Sequence, residues 1–310
     1  MPDASIPASI PATMRSLRVH ELGEPNQVRV EEVPTPSPAA EELLIRVHAA
    51  AITRDELTWP EGRLPATPSY EFAGEVVARG ESASDFAVGD PVYGMALFDR
   101  DGAASEFFAA PQSVFARKPD NIDDATSAAV PLPALSAWQA LFDHGLLESG
   151  QRVLVHGATG AVGHFAVQLA RRAGAHVIAT ASSTNLEAAR DVGADEVIDR
   201  ATPYESSLPP VDLVFDAAGG DAAERSAALV RPGGRLVSII SEPGEISGIT
   251  SIFFIVEPSR DELDQITELI ESGGLLLVPH QEFSLDQAAA AFEASLDRGH
   301  RGKVVFSPVA

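Results

Sequence analysis

Apolar positions in the first third of the chain occur in short runs that glycine and proline interrupt. Between Met14 and about Lys118 the clearest runs are VRVEEV, ELLIRVHAAA, EFAGEVVARG, DPVYGM and ASEFFAAP. Runs of this length, with frequent turns and little helical periodicity, are typical of β-strands. The pattern therefore predicts a β-rich domain at this end of the chain.

The pattern changes near Asp124, where the segment DDATSAAVPLPALSAWQALFDHG predicts mostly helix. Beyond it, apolar strands alternate with helical segments that end at glycines; the strands read RVLVHG, HVIATA, EVIDR, VDLVFDAA and RLVSII. Near-continuous apolar strands that alternate with helices indicate a parallel sheet covered on both faces.

Two capped helices and a last strand follow. Ser259 with Glu262, and Ser284 with Gln287, have the spacing of a capping box, in which each side chain bonds the backbone of the other residue. GKVVFSP predicts the closing strand.

A glycine-rich turn lies between the first strand of the parallel sheet and its helix. In GATGAVG, Ala158, Gly160 and Gly163 have the spacing of a dinucleotide fingerprint, with alanine in the first glycine position and Gly157 just before it. Small residues let backbone amides approach a pyrophosphate, and the helix start favours the anion. The alternative is a tight turn without a ligand. The predicted contacts are Gly157, Ala158, Thr159, Gly160, Ala161, Val162 and Gly163.

The next strand ends in ATASSTN, without an acidic residue. A carboxylate at this place accepts from the ribose 2′-hydroxyl of NAD, whereas hydroxyl and amide groups can donate to a 2′-phosphate. Ser182, Ser183 and Asn185 are therefore predicted to bind the phosphate of NADPH, and Arg200 to supply positive charge.

Composition narrows the function classes. The net charge is −23, from 22 basic and 45 acidic side chains, which argues against a nucleic acid or an anionic membrane as partner. The absence of cysteine excludes disulfides, thiolate nucleophiles and cysteine-ligated metals. No apolar run reaches the roughly 20 residues of a membrane span, and residues 1–13 predict a flexible leader rather than a secretory signal. We expect a cytoplasmic protein.

The order of the β-rich segment, HGATGAVG, VDLVFDAAGG, VRPGGRLVSI and HRGKVVF resembles the medium-chain dehydrogenase/reductase superfamily, and within it the zinc-free quinone oxidoreductase-like branch. The resemblance implies an α/β fold in which a Rossmann domain, a doubly wound parallel sheet, is inserted into a β-rich GroES-like catalytic domain. It places the catalytic domain at 14–126 and 259–310, and the NADP-binding domain at 127–258.

The resemblance also implies further cofactor contacts. They are Ser136, Ala217, Ala218, Gly219, Ser238, Ile239, Phe254 and Ile255. Lys303, together with Arg301, is expected to reach the cofactor phosphates. For Ser136 the alternative is helix packing, and for Lys303 it is a solvated strand start. Phe253–Val256 is expected to pair across a homodimer axis, with a buried internal strand as the alternative.

The zinc-dependent branch would carry a ligand cysteine near Thr53 and a histidine at Tyr70; only Glu71 is kept. One carboxylate cannot build a three-ligand zinc site, so no metal is expected. Without a Lewis acid, hydride transfer to a conjugated acceptor is easier than reduction of a simple ketone. We therefore expect a quinone or an α,β-unsaturated carbonyl as substrate.

Three residues are candidates for handling the substrate oxygen and the proton. Thr53 is predicted to bond the oxygen, Asp55 to relay a proton, and Tyr70 to donate to the developing oxyanion. The alternatives are a capping pair for Thr53 and Asp55 and aromatic packing for Tyr70. Two other functions stay open: reduction of a tailored enoyl thioester or polyketide-type substrate, and a non-catalytic NADPH-binding sensor.

Overall fold

The structure is a computed structural model that describes residues 10–59, 62–297 and 302–308. Most of the predicted leader and Arg301 lie outside these residues. The described chain forms two compact units. The first comprises residues up to Pro131, Pro258–Ser272 and residues from Pro279 onward; the second comprises Leu132–Glu257 and Gly273–Val278.

Strands and helices follow the predicted order. The strands are β1 Thr13–Val19, β2 Val28–Pro34, β3 Glu42–Ile52, β4 Glu71–Arg79, β5 Pro91–Met95, β6 Phe107–Pro111, β7 Phe115–Arg117, β8 Arg152–His156, β9 His176–Ala181, β10 Glu196–Asp199, β11 Val211–Asp216, β12 Val230–Ser238, β13 Thr250–Phe253, β14 His280–Ser284 and β15 Lys303–Ser307. The α-helices are α1 Asp124–Ala128, α2 Pro131–Trp138, α3 Ala161–Arg172, α4 Leu186–Asp191, α5 Ala222–Ser226, α6 Arg260–Glu271 and α7 Ala288–Leu296.

Short helical turns complete the secondary structure. A π-helical segment, Gln139–His144, continues α2. The 3-10 turns are Pro25–Gln27, Glu56–Thr58, Gln112–Val114, Ser183–Asn185, Ala227–Leu229 and Leu285–Gln287.

The first unit is β-rich. Its larger sheet has the order β14-β15-β3-β4-β5-β7, with β6 also paired to β3, and β1 and β2 form a separate antiparallel pair. Phe72, Phe108 and Phe115 pack against one another in its core, with ring centroids 4.9–6.5 Å apart. The central strand β3 is antiparallel to both β15 and β4, so residues from the two ends of the chain meet on one sheet.

The second unit contains a parallel six-stranded sheet of order β10-β9-β8-β11-β12-β13. The strand order reverses between β8 and β11, as in a doubly wound Rossmann sheet, where ligands bind at the carboxyl ends beside the reversal. This confirms the predicted α/β class and the insertion of the parallel sheet in the β-rich unit.

Residues 273–278 belong with the second unit, whereas the sequence analysis placed them in the catalytic domain. Hydrogen bonds to α3 explain the difference. The Leu276 amide donates to Gln168 Oε1 at 2.7 Å, and the Leu276 carbonyl lies 2.7 Å from His164 Nε2. In the described part of the chain, no helix has the length and apolar character that crossing a bilayer requires.

Candidate active site

The glycine turn between β8 and α3 has the geometry of an anion cradle. Gly157 has φ +76°, in the left-handed region that favours glycine, and a Cβ on Gly163 would lie 2.1 Å from the Gly157 carbonyl oxygen. The first turn of α3 carries no acidic side chain, so its free amides and helix dipole favour an anion. The turn therefore fits the pyrophosphate of a dinucleotide.

The predicted contacts on β11 and β12 lie at the same edge of the parallel sheet. Asp216 ends β11, and its Oδ1 accepts from the amides of Ala218 at 3.0 Å and Gly219 at 2.9 Å. Ser238 ends β12, and its Oγ accepts from the Ile240 amide at 3.1 Å. Both side chains are buried and bond the backbone of the loops that follow the two strands.

The serine-rich end of β9 and Arg200 are adjacent. The Arg200 amide donates to the Ala181 carbonyl at 2.9 Å, and Ser182 Oγ lies 3.1 Å from Thr184 Oγ1. Arg200 is exposed, and Ser183–Asn185 forms a 3-10 turn directly after Ser182. Hydroxyl groups thus lie at this corner of the sheet, and the backbone of Arg200 is bonded to the end of β9.

Three other predicted cofactor residues differ in burial and in their contacts. Ser136 is buried, and its hydroxyl donates to the Leu132 carbonyl at 2.7 Å, which is the helix-packing alternative. Phe254 is buried against the His144 ring, with centroids 4.3 Å apart. Ile255 is 65% exposed.

In the first unit, Thr53 lies beside a buried ion pair. Lys303 is only 4% exposed; its Nζ donates to Thr53 Oγ1 at 2.9 Å and forms an ion pair with Glu71. The ammonium is enclosed and bonded to these partners, which departs from the solvated strand start given as the alternative, and the contact of Lys303 with a cofactor phosphate stays a prediction. Thr53 itself is half-buried.

Glu56 connects the two segments that carry Thr53 and Tyr70. Its carboxylate accepts from the Thr53 amide at 2.9 Å and from the Ser69 amide. Burial raises the pKa of Glu56 to about 8, against the lowering effect of these two amides and of Lys303. Ser69 has φ +75°, a strained conformation for a residue other than glycine, and its hydroxyl donates to the Ala51 carbonyl at 2.8 Å.

Tyr70 is 1% exposed, within a layer of aromatic rings. Its ring centroid lies 5.8 Å from that of Trp59 and 5.1 Å from that of Phe98. Arg63 Nη2 donates to the Tyr70 hydroxyl at 3.1 Å and to the Phe98 carbonyl at 2.7 Å. Burial raises the pKa of Tyr70 above its ordinary value. Tyr70 therefore packs among aromatic rings, and its role as a donor to the oxyanion stays a prediction.

Asp55 is exposed at the start of the 3-10 turn Glu56–Thr58. Its backbone carbonyl accepts from the Thr58 amide at 3.0 Å and from the Thr58 hydroxyl at 2.7 Å. Its carboxylate makes no cap bond to this turn, so a shared capping role with Thr53 is not seen.

These donors do not fit a zinc ion. Glu71, the one carboxylate at a zinc-ligand position, is paired with an ammonium, and the Tyr70 hydroxyl is bonded to a guanidinium. Zinc needs three or more thiolate, imidazole or carboxylate ligands that converge. No group of three or more histidine, aspartate or glutamate residues is placed to hold a metal in residues 10–59, 62–297 and 302–308.

Sequence reasoning missed Glu56, Arg63 and the partners of Lys303. The role of Glu56 could have been predicted, because the carboxylate of a glutamate three residues after Thr53 can reach back to the Thr53 amide. The contacts of Lys303 and Arg63 could not be predicted from the neighbouring sequence, because their partners come from other segments of the fold.

Comparison with known proteins places the chain in a family. Residues 39–120 match the model of an alcohol dehydrogenase GroES-like domain, and residues 192–306 match that of a zinc-binding dehydrogenase. A probable zinc-binding oxidoreductase, mitochondrial, of Arthroderma benhamiae is 36% identical over 96% of this chain and 97% of its own length.

Two further proteins are similar over nearly the whole chain. The NADPH-dependent alkenal/one oxidoreductase, chloroplastic, of Arabidopsis thaliana is 31% identical over 97% of this chain and 81% of its own length. The structure of a quinone oxidoreductase from Coxiella burnetii superimposes with a TM-score of 0.88, at 28% identity over 96% of this chain and 100% of that one. The chain belongs to the medium-chain dehydrogenase/reductase superfamily of nicotinamide-dependent oxidoreductases, in its quinone oxidoreductase-like branch.

Proposed function

We propose that this protein is a zinc-independent, NADPH-dependent reductase of quinones or of α,β-unsaturated carbonyl compounds. The observation that carries the proposal is the ion pair of Lys303 with Glu71 beside Thr53, because it occupies the one carboxylate that a catalytic zinc would use. The GroES-like unit would act on the substrate and the Rossmann unit would bind the dinucleotide.

The chemistry follows from the groups available. NADPH, when bound, supplies the hydride. A conjugated acceptor takes it at carbon and delocalises the negative charge onto its oxygen, so that a hydrogen-bond donor suffices where a simple ketone would need a Lewis acid. The Thr53 hydroxyl is the donor that we assign to this oxygen, and a proton from water completes the reduction. Asp55, which is exposed, is the alternative route for that proton.

NADPH rather than NADH is favoured by the corner formed by Ser182, Ser183, Asn185 and Arg200. It offers hydroxyls and a guanidinium to a 2′-phosphate, and no carboxylate follows β9 where NAD-binding units place one. The name of the Arabidopsis relative, an NADPH-dependent enzyme for alkenals and alkenones, agrees with this choice.

A homodimer is the proposed assembly. β13 is an edge strand of the parallel sheet, and Phe253 and Ile255 expose apolar side chains beside it. Unpaired backbone groups at such an edge can pair with a second copy. The relatives carry mitochondrial and chloroplastic names, and the cytoplasmic location expected from the sequence stays a prediction.

Nicotinamide absorbance with a panel of acceptors tests the proposal. We expect NADPH to be oxidised with benzoquinone or methyl vinyl ketone, but not with a saturated aldehyde, and EDTA to have no effect. Turnover of the saturated aldehyde that EDTA abolishes would instead indicate a zinc-dependent alcohol dehydrogenase. An enoyl thioester as the only good substrate would indicate a tailored biosynthetic role, and tight NADPH binding without turnover would indicate a sensor.

A further inference from the structure

Lysine is rare in this protein. The chain contains 20 arginines but only two lysines, Lys118 and Lys303. Lys118 donates to the Ile122 carbonyl at 2.9 Å and pairs with Asp124 at 3.4 Å. Lys303 is the more buried of the two and bonds Thr53 and Glu71. An ammonium is a compact three-proton donor, whereas a guanidinium is a planar fork, so the two cations are not interchangeable in an enclosed site.

Strand register brings Lys303 to Thr53. Val304 pairs with Ile52 across β15 and β3, and Ala51 pairs with Glu71 across β3 and β4. Continuing the first pairing by one residue sets Lys303 opposite Thr53. The start of β15 is fixed as well, because the Lys303 amide donates to the Pro279 carbonyl at 2.9 Å. Gly302 has φ +92° and no room for a Cβ beside the same carbonyl.

The bond between Lys303 and Thr53 has only one possible direction. An ammonium donates and cannot accept, so Thr53 Oγ1 must be the acceptor. The hydroxyl therefore keeps its own proton for another partner, and the described residues provide no acceptor for it. Lys303 and Glu71 are buried while Thr53 is half-buried, so Thr53 is the most exposed residue of the three.

We propose that Lys303 is a positioning residue that orients the Thr53 hydroxyl as a hydrogen-bond donor to the oxygen of the hydride acceptor. The inference rests on the proposed function and deepens it. It gives the buried ammonium of Lys303 a role in stabilising the negative charge that develops on the substrate oxygen. Glu71 pairs with the ammonium in the interior, which offsets part of the cost of burying the charge, and in this proposal it does not contact the substrate.

A spectroscopic test does not depend on turnover. Protein grown with lysine labelled at Cε and Nζ gives two side-chain signals, and Lys118→Met removes one and so assigns the other to Lys303. We expect Thr53→Val to shift the Lys303 signal and Thr53→Ser to leave it close to its original position. An unchanged Lys303 signal in Thr53→Val would overturn the inference, whatever the activity.

A kinetic cycle then tests whether Lys303 acts through Thr53. Lys303→Met alone removes the ammonium that pairs with the buried Glu71 carboxylate, so the double variant Glu71→Gln/Lys303→Met serves as the charge-balanced comparison. We expect the double variant to lower kcat by roughly 10- to 100-fold and to leave the KM for NADPH unchanged. We expect Thr53→Val to lower kcat by a similar factor. Lys118→Met is the matched control and should keep kcat within about twofold.

The combined variant decides the outcome. If Lys303 acts through Thr53, adding Thr53→Val to the double variant lowers kcat by no more than about threefold further. Full multiplication of the two losses, or wild-type kcat in the double variant, would contradict the inference. Absence of turnover in the wild-type protein with every conjugated acceptor would contradict the proposed function instead, and the lysine signals would still report on the contact.

Discussion

Glu56 shows how one buried carboxyl can organise the residues around it. It accepts from the amides of Thr53 and Ser69, and so ties the turn after β3 to the segment that leads into Tyr70. Neither segment has regular hydrogen bonding at these positions, and Ser69 is held at a positive φ. The relative placement of Thr53 and Tyr70 therefore depends on Glu56.

Replacement of Glu56 should change the pH dependence of stability. The pKa of Glu56 is raised from 4.5 to about 8, so between these values the folded protein holds a proton that the unfolded chain releases. The free energy of unfolding should then fall as pH rises through this range, by at most about 1.4 kcal/mol per pH unit. In Glu56→Gln this contribution should be absent, as measured by urea unfolding at several pH values.

The control for this measurement is Glu81→Gln, which removes an exposed carboxyl from the same unit and should keep the wild-type pH slope. A slope in Glu56→Gln equal to that of the wild-type protein would show that Glu56 titrates in its ordinary range.

At the scale of elements, the junction of β8 with α3 depends on Gly163. A methyl group there would overlap the Gly157 carbonyl, whereas one on Gly160 would lie 3.3 Å from the same oxygen. We expect Gly163→Ala to weaken NADPH binding at least about tenfold and to lower Tm by several degrees, because the turn must open. Gly160→Ala should change Tm much less. Fluorescence titration and thermal melts measure both; equal Tm losses would contradict this account of the turn.

The end of β9 should set the choice of dinucleotide. Ser182 precedes a 3-10 turn in an extended conformation, a position that aspartate also accepts. We expect Ser182→Asp to lower the ratio of kcat/KM for NADPH over NADH by about 100-fold, since a carboxylate repels a 2′-phosphate and accepts from a 2′-hydroxyl. Ser206→Asp adds the same charge at an exposed site in the same unit and should leave the ratio unchanged. An unaltered ratio in Ser182→Asp would place the phosphate elsewhere.

Elements with strong apolar patterns could be predicted from the sequence, and those without them could not. The buried strands β8, β9 and β11 and the capped helix α6 lie where their patterns put them, with Ser259 Oγ accepting from the Glu262 amide. β14, whose sequence is HQEFS, is an edge strand with exposed polar residues and no alternation. β14 is a strand because its backbone pairs with β15, and this pairing cannot be predicted from the pattern of side chains.

The candidate site follows the same rule. Thr53 and the glycine turn could be located from the sequence because each follows a strand with a clear apolar pattern. The Lys303–Glu71 pair could not, because it needs the register of β15, β3 and β4, and that register is a property of the folded sheet.

At the scale of the whole molecule, the proposed dimer should depend on the edge beside β13. Ile255→Glu places a charge on an apolar side chain that is 65% exposed, and we expect it to give a monomer by sedimentation velocity. Val88→Glu changes another exposed apolar residue, 52% exposed and in the other unit, and should leave the dimer intact. A wild-type protein that sediments as a monomer would contradict the proposed assembly.

The proposed function assigns dinucleotide binding to the glycine turn and substrate binding to the β-rich unit, in which Lys303 is a buried cation. Transfer of deuterium from NADPH labelled at C4 to an enone tests this account most directly. We expect mass spectrometry and NMR of the product to show a saturated ketone with deuterium at the β-carbon. An allylic alcohol with deuterium on the carbinol carbon would show carbonyl reduction and would contradict the account.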